Sequence, residues 1–327
     1  MDGLSVFIRE KIRMNKEHYL QKTSIVCLLA LLCCFLWGSA FPCIKIGYRL
    51  FAIESTDTWS QILFAGIRFT LAGVLVILTA SVPQKKILFP KKGSWGMVAK
   101  ISMAQTVIQY FFFYVGLAHT TGVKGSIIEG AHVFLSILIA SLIFHQEKMT
   151  KAKSAGCVIG FSGVILVNAS GAEGLGGGLA LNGEGFLLIA CVSYAFSSVL
   201  VKLYSAKESP VVLSGYQFMM GGVIMTAAAW IGGGHLTVTS LWAYPMMVYM
   251  ALISAVAYSV WGVLLKYNPV SKVTVFGFTT PVFGVVLSAL FLTESGQIPW
   301  VQSLVALLCV CAGIFIVNRR ETLENTD

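Results

Sequence analysis

The sequence is poor in charged residues for its length. Only 11% of its 327 residues are Asp, Glu, Lys or Arg, whereas 57% are apolar. Soluble globular domains average roughly 25% charged residues, so the composition excludes an ordinary soluble fold. It also excludes intrinsic disorder, which requires low hydrophobicity. The class that remains is a membrane protein with several spanning segments, whose main partner is the lipid bilayer.

Motifs for metal binding and cofactor binding are lacking as well. The eight cysteines form no Cys-x-x-Cys pair, and none has metal-ligand spacing to a histidine. The glycine run Gly174–Gly178 lacks the strand-to-helix setting of a phosphate-binding loop and is interpreted as a flexible connector. We therefore expect no metal and no cofactor, and we interpret the cysteines as small apolar packing residues.

Catalytic patterns are weak. Gly160–Gly163 reads Gly-Phe-Ser-Gly, which matches the Gly-x-Ser-Gly of rhomboid-type intramembrane proteases. A nucleophilic serine needs a base within hydrogen-bond reach, and the one histidine after residue 182 is His235, outside the apolar segments. The polar segments are also too short for a nucleotide-hydrolysing domain. The sequence therefore predicts that the chain is not an enzyme.

Long apolar runs dominate the sequence. A membrane helix needs about 20 mainly apolar residues to cross roughly 30 Å of hydrocarbon. Ten segments qualify, of which the fifth and the tenth are short. The ten predicted spans are Ser24–Ile44, Ile62–Val82, Met97–Ala118, Gly125–Phe144, Ser154–Ser170, Gly183–Leu203, Pro210–Ile231, Pro245–Leu265, Val273–Leu292 and Pro299–Val317.

Basic residues are distributed unevenly between the polar segments. If the N-terminus is inside, most of the 23 Lys and Arg residues fall in the N-terminal arm, in every second loop and in the tail. Basic residues on the cytoplasmic side set the orientation of membrane proteins. The pattern predicts cytoplasmic N- and C-termini in the plasma (inner) membrane. It also explains the net charge of +9 without a nucleic-acid partner.

The two halves of the chain repeat one another in the same order. Residues 68–74 correspond to 217–223, residues 144–147 to 291–294, and residues 163–168 to 313–318. Because the repeat unit has five spans, the second copy must cross the membrane in the opposite sense. The predicted fold is an all-α membrane protein of ten transmembrane helices in two inverted five-helix repeats. Its predicted divisions are residues 1–23 (cytoplasmic arm), 24–170 (first repeat), 171–182 (glycine-rich outer linker), 183–318 (second repeat) and 319–327 (cytoplasmic tail).

Short motifs stand at particular helix positions within these repeats. They are Trp37–Phe41 (Trp-Gly-Ser-Ala-Phe), Arg68 with Phe69, Glu147, Thr280–Phe283 (Thr-Pro-Val-Phe), Glu294 and Gly313. As a set, they resemble EamA-type carriers of the drug/metabolite transporter superfamily, over roughly residues 25–318. The resemblance implies ten helices in two inverted halves and the carriage of small metabolites, often by export.

Two features depart from the pattern of that family. The second half has Pro281, but the equivalent first-half residue is Phe134, where the family often has proline. The predicted fourth helix also carries Glu129 and His132, where the family is usually apolar. Ionisable groups inside a span are costly and are treated as functional candidates by default.

Four ionisable residues are predicted in the outer half of the membrane, and they are Lys45, Arg68, Glu129 and His132. One hypothesis is a polar vestibule in which Lys45 and Arg68 accept a substrate carboxylate. Glu129 would then pair with Arg68 in the empty site, or would carry a proton. The alternative is a structural ion pair at helix ends, with long side chains that reach the interface.

Aromatic and amide side chains complete the candidate site. Rings that line a midplane cavity suit an amphipathic or cationic solute, although rings that face lipid are the alternative interpretation. Amides avoid lipid and serve either binding or helix association. These candidates are Gln105, Gln109, Tyr110, Trp37, Tyr194, Gln217, Tyr258 and Trp261. The residues assigned to gating or structure are Glu147, Glu294 and Pro281.

The function expected from the sequence is secondary active transport. The cargo would be a small metabolite, an amino acid or a related carboxylate, which is exported by alternating access. The driving force is either the proton gradient, through Glu129, or the solute gradient alone. The alternatives are an exporter of organic cations or drugs, a channel, and an intramembrane enzyme. The chain is expected to act as a monomer or a homodimer.

Overall fold

The computed structural model of the chain describes residues 19–145, 148–168, 181–268, 273, 275–292 and 300–324. These residues form helices and loops, with no β-strand among them. The helices are α1 (Thr23–Leu50), α2 (Thr58–Ser81), α3 (Lys92–Ala118), α4 (Gly122–Ile143), α5 (Lys151–Asn168), α6 (Leu181–Ser205), α7 (Pro210–Ile231), α8 (Ala243–Tyr267), α9 (Thr279–Phe291) and α10 (Trp300–Glu324).

Eight of the described helices are long and apolar enough to cross a membrane. The two others are α5, whose first turn carries Lys151 and Lys153, and α9, which belongs to the shorter apolar helix Phe276–Phe291. The mean hydropathy of the eight spans ranges from 1.3 to 2.4. The prediction of an all-helical, multi-pass membrane protein is therefore confirmed.

Local sequence sets where several helices begin. The Asp57 side chain accepts a hydrogen bond from the Ser60 backbone N–H at 3.0 Å at the start of α2. The Thr121 hydroxyl accepts one from the Lys124 backbone N–H at 3.1 Å at the start of α4. Such caps satisfy backbone donors that the first turn leaves unpaired. They fix the helix starts, and with them the positions of the ionisable residues that follow on α2 and α4.

Two helix pairs pack at backbone distance because both partners have glycine at the contact. A side chain at Gly66 of α2 would collide with the backbone of Gly222 on α7, and one at Gly222 would collide with the backbone of Gly66. Gly156 of α5 and Gly313 of α10 have the same mutual relationship. Small residues let membrane helices approach closely and gain van der Waals contact. The α2–α7 and α5–α10 pairs have the most extensive helix contacts in the described chain.

The remaining helices meet between these two pairs. Helix α1 packs against α8 and α9, while α6 packs against α3 and α4. Helix α4 breaks at Gly130: its first segment, Gly122–Glu129, packs against α9, and its second, Ala131–Leu138, packs against α6. Helix α3 contains a π-helical segment, Ser102–Ile108. Such irregular segments are frequent at functional sites, and Glu129 is the last residue before the break.

Candidate functional site

Arg68 lies on α2 and is buried among neutral oxygen atoms. Its Nε donates to the Met250 carbonyl oxygen at 3.0 Å, its Nη1 to the Tyr114 hydroxyl at 2.5 Å and its Nη2 to Ser254 Oγ at 3.1 Å. Its guanidinium carbon is 4.9 Å from the centroid of the Phe69 ring, and the residue is only 3% exposed. The planar guanidinium group holds its N–H donors in a fixed geometry, so it can bind several oxygen atoms at once. Arg68 therefore joins α2 to α3 and α8.

Tyrosine side chains lie between Arg68 and Glu129. The hydroxyl oxygens of Tyr110 and Tyr258 are 3.2 Å apart. Tyr110 interacts electrostatically with both Arg68 and Glu129, and Tyr258 interacts with Tyr194 on α6. The hydrogen bonds of Arg68 and Glu129 all go to other groups, so these two described residues do not form the ion pair that the sequence suggests.

Glu129 and His132 lie beside the break in α4 and contact α6. The thiol of Cys191 donates to Glu129 Oε2 across 3.5 Å. The ring centroids of His132 and Tyr194 are 4.6 Å apart in an edge-to-face arrangement. His132 and Glu129 are both half-buried. Within the part of the chain that the structure describes, Cys191 is the hydrogen-bond partner of the Glu129 carboxyl, and no cationic side chain binds it.

Trp37, which lies on α1, contacts two aromatic rings of α8. Its ring centroid lies 5.6 Å from that of Tyr258 and 5.1 Å from that of Trp261, and both contacts are edge-to-face. Tyr258 in turn contacts Phe218 at 5.0 Å. The structure thus brings together Trp37, Tyr258 and Trp261, which the sequence could name only one by one. With Tyr110, Tyr194, Glu129 and His132, these three residues form what we call the central cluster.

Two of the predicted amides bind each other rather than facing this cluster. Gln217 Nε2 on α7 donates to Gln105 Oε1 on α3 at 2.6 Å, and Thr106 Oγ1 donates to Gln217 Oε1 at 3.2 Å. These three side chains are buried, and their hydrogen bonds join α3 to α7. Gln109 lies one turn further along α3. It is also buried, but its Oε1 has no hydrogen-bond partner among the described residues.

The other predicted residues lie elsewhere or outside the described chain. Lys45 is half-buried, close to the C-terminal end of α1, and Pro281 is buried near the start of α9. Glu147 and Glu294 lie outside the described residues, as do most of the predicted linker, most of the predicted N-terminal arm and residues 325–327 of the predicted tail. The roles predicted for these residues are not tested by the structure.

Sequence reasoning missed two polar contacts. It assigned Cys191 to packing, whereas the thiol contacts the Glu129 carboxyl. The available signal was its position three residues before Tyr194, which places both on one face of α6. The second contact joins the first turns of α4 and α6, where Lys124 Nζ lies 3.4 Å from Glu184 Oε1. No spacing in the sequence links these two residues.

Side chains that commonly bind metal ions do not cluster among the described residues. No group of three His, Cys, Asp or Glu side chains in this part of the chain is arranged to coordinate a cation. The candidate site therefore consists of one carboxyl group, one imidazole and a set of aromatic rings. These groups can bind a cation or exchange a proton.

Nearly the whole length of the sequence matches one family. The profile of the EamA-like transporter family matches residues 24–169 and 181–319. The chain belongs to the EamA-like transporter family. Membership confirms the resemblance to the drug/metabolite transporter superfamily. This EamA-like protein is therefore a membrane transporter, which implies a small-molecule solute and a lipid bilayer as its partners.

Similar proteins agree with this assignment of the EamA-like chain. A Synechocystis sp. protein described as an uncharacterized transporter is 26% identical over 89% of this chain and 88% of its own length. The uncharacterized inner membrane transporter YedA of Escherichia coli is 26% identical over 77% of this chain and 78% of its own. A crystal structure with 16% sequence identity matches with a TM-score of 0.64, over 91% of this chain and 99% of that chain, which shows a shared fold.

Proposed function

We propose that the chain is a secondary transporter of ten helices, arranged as two inverted five-helix halves that alternate access to a central site. The repeated motifs support this arrangement, as does the division of the family match into two stretches. The distribution of basic residues supports cytoplasmic termini. An inner-membrane location is supported by that distribution and by the name of the Escherichia coli relative. No catalytic role is proposed.

We further propose that the solute carries a protonated amine, as amino acids and related metabolites do. The observation that carries this proposal is the Glu129 carboxyl, which lies in the central cluster with the Cys191 thiol as its hydrogen-bond partner. Carboxylates and the faces of aromatic rings both attract cations, most strongly where water is excluded. A cationic group of the solute that binds between Glu129 and the rings would give the carboxylate a partner of opposite charge.

In this proposal, the same carboxyl binds a proton when the amine is absent. Glu129 would then exchange one cation for the other, and solute export would be coupled to proton entry. We assign Arg68 a structural role rather than a role in binding the amine or the proton, because three of its N–H groups already donate to protein oxygens. Binding of a solute carboxylate by Arg68 and Lys45 stays a prediction from the sequence.

The test uses purified protein in liposomes, with a labelled amino acid on one side and a pH difference across the membrane. Glu129→Gln should abolish uptake driven by the pH difference, whereas solute exchange at equal pH should survive with weaker affinity. Glu184→Gln is the matched control, because it removes a carboxylate that binds Lys124 away from the cluster. That control should keep proton coupling. Unchanged coupling in Glu129→Gln would refute the assignment of Glu129.

A second candidate is an exporter of organic cations or drugs. The ring contacts of Trp37 with Tyr258 and Trp261 favour it, because aromatic rings bind quaternary ammonium groups well. This candidate predicts that quaternary amines compete for the site as strongly as primary amines do. A channel would instead show a flux that rises with solute concentration without saturation in the same liposomes.

A further inference from the structure

A groove runs along the outward side of the α2–α7 pair and encloses about 350 Å³. The large apolar side chains that line it are Ile67 and Leu71 of α2 and Val223 and Trp230 of α7, and Ala227 of α7 lies among them. Leu71 is 38% exposed, Val223 55% and Trp230 77%. Because both helices are long and apolar enough to cross a membrane, this exposed surface faces the hydrocarbon of the bilayer.

The groove lies on the opposite side of α2 from the candidate site. Ile67 and Leu71 are four residues apart, so they share one face of the helix. Arg68 and Phe69 lie on the other face, where both are buried. The partners of Arg68 are on α3 and α8, and those of Phe69 are on α3 and α7. A solute at the central cluster is therefore separated from the groove by α2 itself.

Two threonines also line the groove, and their hydroxyl groups lie at the contact between the helices. A side chain at Gly222 would collide with the Thr70 hydroxyl oxygen, and one at Gly66 would collide with that of Thr226. The Thr70 hydroxyl also donates to the Gly66 carbonyl oxygen at 2.9 Å, and the Thr226 hydroxyl oxygen is buried. The groove therefore presents mainly hydrocarbon, which suits an apolar ligand better than a polar solute.

The length and depth of the groove match one leaflet of a bilayer. From Val223 to Trp230, α7 rises about 10 Å at 1.5 Å per residue, and half of the hydrocarbon core is about 15 Å thick. Trp230 is the last residue but one of α7, and the ring of Trp59 lies against Gly232, just beyond the end of this helix. Tryptophan is enriched at membrane interfaces. The groove thus starts near the headgroups and descends toward the midplane.

We propose that this groove binds one acyl chain of a phospholipid, in the outer leaflet under the topology proposed above. An α-helix with its side chains is about 10–12 Å wide, so a helix of a second copy cannot enter a groove between two helices in backbone contact. A single hydrocarbon chain can enter it and gains van der Waals contact with both walls. The chain then contacts Leu71 in the first predicted half and Ala227 in the second, so the bound lipid joins the two halves whatever solute is carried.

The first measurement is the affinity for phospholipid. The purified, delipidated full chain is titrated with dipalmitoyl phosphatidylcholine in detergent, and bound lipid is counted by non-denaturing mass spectrometry. Ala227→Phe fills the groove from its wall and should weaken the tightest lipid binding about fivefold, because several van der Waals contacts are lost. Ala228→Phe is the matched control, since the next residue of α7 is also exposed but does not line the groove. It should bind lipid as the native protein does, and equal binding by both variants would overturn the proposal.

A second measurement is the melting temperature of the same proteins with and without the lipid. A ligand that binds the folded state stabilises it by mass action, so the lipid should raise the melting temperature of the native protein and of Ala228→Phe more than that of Ala227→Phe. The melting temperatures without lipid show whether each variant is folded. If Ala227→Phe does not fold, Leu71→Ala replaces it, because this variant widens the groove and should also weaken lipid binding. Native-like lipid binding by folded Leu71→Ala would then refute the proposal.

Two further results distinguish an acyl chain from other ligands. Dipalmitoyl phosphatidylglycerol should bind as tightly as the phosphatidylcholine, because the contacts are made to the chain. A strong preference for either headgroup that Ala227→Phe leaves unchanged would place the lipid elsewhere. Ala227→Cys should form no more disulfide-linked dimers in the membrane than the native protein, which already has eight cysteines. Efficient dimer formation by this variant would assign the groove to a second copy of the chain and overturn the proposal.

Discussion

The Cys191 thiol lies 3.5 Å from the Glu129 carboxyl, so α6 contacts the proposed proton site through a weak hydrogen-bond donor. The same sulfur lies 3.6 Å from the carbonyl oxygen of Ile128, in the turn that precedes the break at Gly130. A thiol stabilises a carboxylate less than a hydroxyl or a cation does. The carboxyl is therefore left accessible to a stronger partner, either a proton or an ammonium group.

Replacing this thiol should move the pH dependence of transport in two opposite directions. In Cys191→Ser, the hydroxyl donates more strongly to ionised Glu129, so a more acidic pH is needed to protonate the carboxyl. In Cys191→Ala, the donor is lost and the midpoint should move to a more alkaline pH. Each shift should be up to about one pH unit. Uptake measured across a pH series would detect both, and shifts of the same sign in both variants would contradict the assignment.

Arg68 is expected to contribute mainly to stability. In Arg68→Lys the charge is retained but the fork of donors is lost, so buried oxygens of Met250, Tyr114 or Ser254 are left unpaired. We expect a loss of about 2–3 kcal/mol in the free energy of unfolding, measured by denaturation in detergent. The Ser254→Ala variant removes one acceptor and should lose less. A normal melting temperature with selectively weakened carboxylate binding would instead support the vestibule predicted from the sequence.

Glu208 joins the loop between α2 and α3 to the start of α7. Its carboxylate accepts hydrogen bonds from the backbone N–H groups of Lys91 at 2.8 Å and Ser209 at 2.9 Å. Burial raises the pKa of Glu208, but these two hydrogen bonds, a hydrogen bond with Ser94 and the charge of Lys91 together hold the pKa below its usual value. A carboxyl with a depressed pKa stabilises the fold above its unfolded pKa of roughly 4.3, and this contribution is lost as the pH falls through the folded pKa.

Glu208→Gln should therefore be less stable than the native protein at pH 7, by on the order of 1 kcal/mol after allowance for solvent screening. The difference should shrink as the pH falls through the folded pKa. Thermal unfolding in detergent at a series of pH values measures it. Glu54→Gln is the control, because that side chain is exposed and should change stability little at any pH. A constant difference at every pH would show that the ionised carboxylate is not responsible.

The helical, multi-pass character of the chain was predictable from the sequence because burial in lipid imposes one strong constraint. Backbone groups in hydrocarbon must be paired within the segment, so long apolar runs become helices. The helix ends were less predictable: α1 continues to Leu50, past the predicted end at Ile44. The break at Gly130 and the π-helical segment of α3 had no signal in the hydropathy pattern, because they depend on the helices packed against them.

The sequence named most residues of the candidate site, but it did not predict which of them contact each other. Depth along each helix placed Arg68 and Glu129 at comparable heights, which suggested an ion pair. The pairing depends instead on helix rotation, and the partners of Arg68 are neutral oxygens on α3 and α8 that no charge pattern reveals. The tyrosines that lie between the two charges, and the thiol on Glu129, likewise emerge only when the helices are assembled.

The glycine contacts limit how the molecule can move. Gly66 and Gly222 bring the backbones of α2 and α7 together, and any sliding of one helix past the other would drive side chains into that contact. Gly156 and Gly313 do the same for α5 and α10. Each pair is therefore tightly packed, and it joins a helix of one predicted half to a helix of the other. In the proposed transporter these two pairs would move as units, and the motion that admits and releases a solute would fall to the six other helices, among them α4 with its break at Gly130.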